Sequence, residues 1–187
     1  MLEFITTNSV NIFYASAIAT ATTFITGILF FVVGGLMGPV NDVAAIVQVV
    51  LMAAVAVLLH QVLATVAPAV SLAALVILLL SALVATIAQG ALVLRIINFE
   101  QSMQFGLPAG VGFAVWLILL AFLFWRAETF GMLLVILAVL SGLSYIAIAI
   151  GYWRGGQSHP AFLSGSAIAL LAYTGLAYVL AKNFAPR

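Results

Sequence analysis

Apolar residues run along this chain in long, almost unbroken stretches, separated by short clusters of proline, glycine and charge. A helix that crosses a bilayer needs about 20 mostly apolar residues. Six segments are read as such spans: residues 10–37, 43–66, 70–94, 110–125, 131–153 and 162–181. Their ends carry breakers: Gly38-Pro39, Pro68, Arg95 with the polar stretch 98–104, Arg126-Ala127-Glu128, and Arg154-Gly155-Gly156-Gln157. The strict alternation over about ten residues that marks a membrane β-strand is absent. The pattern predicts an all-α, polytopic integral membrane helix bundle of six transmembrane helices with short loops, one transmembrane domain over 1–187. Ala67-Pro68-Ala69 alone separates spans two and three, which makes them a tight antiparallel hairpin.

Composition sharpens this picture. Of 187 residues, 67% are hydrophobic and 5% charged, against about 25% charged in an ordinary soluble domain. A water-soluble fold of this size has too much surface to hide so many apolar groups, so the bilayer is the expected partner. A net charge of +1 gives no footprint for nucleic acid. The absence of cysteine excludes disulfides, thiolate metal sites and thiol redox chemistry. The first apolar run continues past Phe24 to Met37 with no cationic start, and reads as a first anchor and not a cleaved signal.

Orientation follows from the cations. Arg126, Lys182 and Arg187 fall on the side of the termini, Arg95 and Arg154 on the other. The positive-inside rule then places both termini in the cytoplasm. Trp125, Tyr152 and Trp153 sit at span ends, where amphipathic rings favour the interface, whereas Trp116 is expected inside the bundle.

Small residues recur at helical spacing: Gly34 with Gly38, Gly106 with Gly110, Ala138 with Gly142, Gly165 with Ala169. Such pairs let membrane helices approach closely. They suit packing within the bundle, and they also suit docking of a partner subunit or a second copy. Pro68-Ala69 and Pro160-Ala161 open the third and sixth spans, which raises an inverted repeat of three plus three helices.

Polar groups at membrane depth are costly and tend to pair or to work. Counted from Pro68, Gln48 and Gln89 lie 20 and 21 residues away, level enough for an interhelical amide bond worth about 0.6–2 kcal/mol. Asp42 and Arg95 are also level by this count, as an interfacial ion pair. Asn41-Asp42 after Gly38-Pro39 reads as the cap of span two. His60 is the one ionisable side chain read as lying well inside a span, with Thr20 and Thr23 of span one as its expected neighbours, Thr22 and Thr26 being close by. The loop 154–160 reads as a plain turn.

The chemistry that is missing narrows function further. His60 and His159 fall on opposite sides, so no bis-histidine haem is expected, and no group of ligands suits a metal. There is no P-loop, and Tyr145 breaks the G-x-S-x-G elbow begun at Gly142. No second catalytic group stands at the depth of His60, which argues against a lipid-acting enzyme. No cofactor is indicated. The chain reads as non-enzymatic: a scaffold or accessory subunit of a membrane complex, or a binder of apolar, lipid-like molecules. The alternative is a carrier or channel for a small, mostly uncharged solute, whose path would use Asn41, Asp42, Gln48, His60 and Gln89.

Overall fold

The structure, a computed structural model, describes residues 2–33 and 37–185. Six long helices make up most of the described residues: α1 Leu2–Val33, α2 Met37–Leu63, α3 Pro68–Val93, α4 Phe99–Ala127, α5 Met132–Gly155 and α6 Pro160–Phe184. Each holds a stretch of 23–29 residues long and apolar enough to cross a membrane. At 1.5 Å per residue such a helix exceeds a hydrocarbon core of about 30 Å. The chain is a multi-pass membrane protein of the all-α class. Gly34 and Arg187 lie outside the described residues.

The local chemistry explains the boundaries. Pro68 and Pro160 each stand at the first helical position, where a missing N–H costs nothing. His159 caps α6 by accepting the Ala161 N–H at its Nδ1. α4 starts at Phe99, well before the apolar run that begins at Gly110. Its start is fixed by a reciprocal capping box: Asn98 Oδ1 accepts from the Gln101 N–H, and Gln101 Oε1 accepts from the Asn98 N–H, both at 2.9 Å. The polar stretch 98–104, expected to be a linker, is therefore the first turn of a helix. A further correction concerns α2. It begins at Met37, so Asn41 and Asp42 lie inside its opening turns and do not cap it; Asn41 Oδ1 instead accepts a hydrogen bond from Thr26 Oγ1 of α1.

The helices form a closed ring in chain order. Each packs on its sequence neighbours, and α6 returns to pack on α1. This topology excludes the inverted repeat. A two-fold axis in the membrane plane reverses the order of helices around a ring, whereas superposing α1–α3 on α4–α6 preserves it. The matched prolines are a shared way of starting a helix.

Close backbone approach at glycines makes the seams. A Cβ at Gly165 would stand 2.9 Å from the Ser144 carbonyl oxygen and the Ile148 nitrogen of α5. One at Gly142 would stand 3.1 Å from the Ala114 carbonyl oxygen of α4, and one at Gly112 would strike Ser81 of α3. Lipid is as apolar as leucine, so van der Waals contact of this kind holds membrane helices together.

The two halves of the ring's interior differ. In the half nearer the termini, Val55 and Leu59 of α2, Trp116 and Leu120 of α4, and Tyr173 and Leu176 of α6 meet at the centre and leave no room for a water-sized sphere. Trp116 is buried, as its sequence position suggested. Its ring lies 6.5 Å from that of Tyr173, whose hydroxyl is 3.2 Å from Ser16 Oγ. Beyond this plug, Phe13, Phe124, Phe130 and Phe184 form an aromatic cluster. Trp125 and Trp153 are exposed at opposite ends of the ring, 59% and 88%, as belts at two interfaces require.

Candidate functional site: a blind apolar vestibule

Opposite the plug, the ring is hollow. An outer cavity of about 740 Å³ lies among the last turns of α1, the first turns of α2, α4 and α6, and the end of α3. It shares the lining residues Thr23, Phe24, Gln89 and Met103 with an adjoining inner cavity of about 210 Å³ that reaches down to Met52, Phe113 and Tyr145. One helical turn deeper, Val55 and Trp116 belong to the plug. The vestibule is thus open at one end and sealed at the other. Its total size is within the range of small-molecule sites, and its walls are mostly apolar, as such sites usually are.

Small residues create the space. Gly106 and Gly110, read from spacing as a packing pair, both line the inner cavity, and a Cβ at either would meet nothing within 4 Å. Ala85, Ala88 and Ala149 line it too. Ser102, Met103 and Tyr145 were not singled out by sequence. Ser102 was hidden in the polar stretch, and its burial at 3% exposure follows only once α4 is extended back to Phe99.

Gln48 and Gln89 are both brought to this vestibule, yet no hydrogen bond joins them. The hairpin turn explains why. α2 ends at Leu63 and α3 starts at Pro68, so counting from Pro68 overstates the depth of Gln48. Measured from their own helix ends, Gln89 lies about 9 Å nearer the open end. Gln48 is 5% exposed and makes no hydrogen bond, and Gln89 Oε1 is buried without a partner. A buried amide left unpaired costs about 1–3 kcal/mol.

Asp42 lines the outer cavity, half-buried at its mouth, whereas Arg95 is exposed on the turn after α3 with φ 58°. The expected Asp42–Arg95 ion pair is not formed, because α3 ends at Val93 and Arg95 turns away in a left-handed conformation. Among the described residues Asp42 is the one charged group on the vestibule wall.

His60 sits apart from this site. It lies three residues from the end of α2, near the terminal side, and its Nδ1 is 2.8 Å from Ser71 Oγ of α3. It staples the α2–α3 hairpin. Thr20 does not reach it: Thr20 Oγ1 donates to the Ser16 carbonyl at 2.9 Å. α2 begins at Met37, earlier than the span expected from residue 43, which shifts the levels of the two helices. Thr23 Oγ1 donates to the Ala19 carbonyl, and Thr23 lines both cavities. Replacing His60 with alanine should cost about 1 kcal/mol of stability, read as an earlier midpoint in a detergent-unfolding titration, and Ser71→Ala in the same background should add almost nothing. A full additive loss would separate the two residues.

No group of acidic, histidine or cysteine side chains among the described residues could hold a metal ion. Compared with protein-family models, with curated proteins and with solved structures, the chain matches none.

Proposed function

We propose that this protein is a membrane-embedded binder of an apolar, lipid-like molecule, held in the vestibule of the helix ring. The observation that carries the reading is the vestibule itself: about 740 Å³ and 210 Å³ of adjoining, largely apolar space, closed below by the Trp116–Tyr173 plug. A bundle held only by packing gains nothing from hollowing its interior, since unfilled space forfeits dispersion contacts.

Of the small-residue pairs that suit partner docking, Gly142 and Gly165 close helix seams within the chain, while Gly106 and Gly110 open the cavity, which supports the binder over the accessory subunit. The carrier reading draws on the same vestibule and additionally requires the plug to part. Flux of an uncharged solute through reconstituted vesicles would favour it, and a tight vesicle with bound amphiphile favours a binder.

The test is direct. Purified in a mild detergent, the full chain should retain about one extractable lipid-like molecule per protomer, quantified by mass spectrometry. Gly110→Leu and Gly106→Leu project side chains into open space, so both variants should fold and both should lose most of it. An absence of bound molecule, or equal occupancy in the filled variants, would contradict the proposal.

A further inference from the structure

The vestibule has an opening in its side as well as at its end. On the plugged half, α1 and α6 are joined by Phe13–Phe184, Tyr14–Tyr178 and Ser16–Tyr173. On the other half the two helices border the outer cavity. There the wall of the outer cavity includes Ile28 of α1 and Leu163 and Leu171 of α6, which are also 58%, 57% and 74% exposed on the ring's surface. Residues that face lipid and residues as deep as Gln89 and Met103 therefore share one continuous space. α1 carries a run of threonines here. Thr20, Thr22, Thr23 and Thr26 each donate to the carbonyl four residues back, at 2.7–2.9 Å, a bonding mode that bends helices.

Two amides without hydrogen-bond partners line this vestibule: Gln89 on both cavities and Gln48, about 9 Å deeper, on the inner one. Gln48, 95% buried by its 5% exposure, and Gln89 can each donate and accept. Thr23, Ser102 and Tyr145 add hydroxyl groups to the inner wall, and the one charged residue, Asp42, is an acid at the mouth. A cationic head would stop at Asp42, and a carboxylate would be repelled by it and desolvated below it. An uncharged head that both donates and accepts satisfies the amides without that penalty.

Resting on the proposed binding role, we infer that the ligand is a neutral amphiphile with a hydroxyl-type head, taken sideways from the leaflet between α1 and α6, its head at Gln48 and Gln89 and its tail trailing toward lipid. The probes are three long-chain molecules of equal length carrying a photoactivatable diazirine, ending in an alcohol, a carboxylate or a quaternary ammonium. They are added to the full chain in phosphatidylcholine vesicles, and labelled peptides are mapped by mass spectrometry. The alcohol should label vestibule residues of α4 roughly fivefold or more above the other two, and Gln48→Met or Gln89→Met should lower that plateau by a similar factor. Ala167→Trp, set in the lateral opening, should slow the approach to the plateau.

Equal labelling by all three heads, or a plateau unmoved by either glutamine replacement in a folded variant, overturns the inference and leaves the binding role standing. Vestibule residues left unlabelled by every probe overturn both. Head selectivity is read on the unaltered chain, so the inference stays testable even where a glutamine variant fails to fold.

Discussion

Gly151→Val should abolish the folded ring. A Cβ at Gly151 would strike the backbone of Phe162 and Ala161, where α5 passes the start of α6. Backbone cannot swing aside as a side-chain tip can, so relief requires α5 and α6 to separate. Overpacking a core commonly costs about 1–3 kcal/mol, and more when main chain is the obstacle. The loss falls on a seam where α6 must also close the ring against α1. Size-exclusion chromatography in mild detergent should show aggregate in place of the monodisperse peak. Gly165→Leu should behave likewise, because its neighbours are also main-chain atoms of α5. Gly106→Val meets open space and should elute as the unaltered protein does. A normal elution profile for Gly151→Val would mean that the α5–α6 seam is looser than described.

The second large effect is expected at the plug. Trp116 is 1% exposed at the centre of the ring. Transfer from lipid to a protein interior gains little for an apolar ring, so the hydrophobic term that dominates such losses in water is nearly absent here. The void remains. Removing roughly 140 Å³ of side chain at about 24 cal/mol per Å³ gives a loss of about 3 kcal/mol. Trp116→Ala should therefore shift the detergent-unfolding midpoint strongly, while Trp116→Phe, which keeps a ring beside Tyr173, should lose much less. Because Trp116 stands one turn below Phe113, the alanine variant should also deepen the vestibule and accept a longer amphiphile. A midpoint for Trp116→Ala equal to that of Trp116→Phe would show that the plug is not tightly packed.

The helices were legible because lipid imposes a simple requirement, length and apolarity, and because proline, glycine and charge punctuate the chain where helices end. Where polar residues belonged to a helix, legibility failed. Asn98 and Gln101 carry the spacing of a capping box, but beside Glu100 and Gln104 they read as a linker, which cost α4 its first turns. Depth arguments failed at the turns. With α2 ending at Leu63, every level counted from Pro68 shifted, and with it the expected Gln48–Gln89 and Asp42–Arg95 pairs, while the expected neighbours of His60 shifted because α2 begins at Met37. The convergence of Gln48 and Gln89 on one space survived that shift, since both still line the inner cavity. Gly106 and Gly110 show a deeper limit. A small residue serves equally to bring two helices together or to leave a hollow between them, and the choice depends on ring closure, which no local pattern encodes.

The central claim is a ring hollow at one end and packed solid at the other. The chain has no cysteine, so single cysteines report without background. Gly106→Cys and Gly110→Cys in the vestibule, and Leu120→Cys and Leu176→Cys in the plug, can each be treated in vesicles with a small, membrane-permeant methanethiosulfonate at alkaline pH. The rate of modification is then followed by mass spectrometry. Vestibule cysteines should react on the order of tenfold or more faster, since plug sites must await local opening. Equal rates at all four positions would contradict the account.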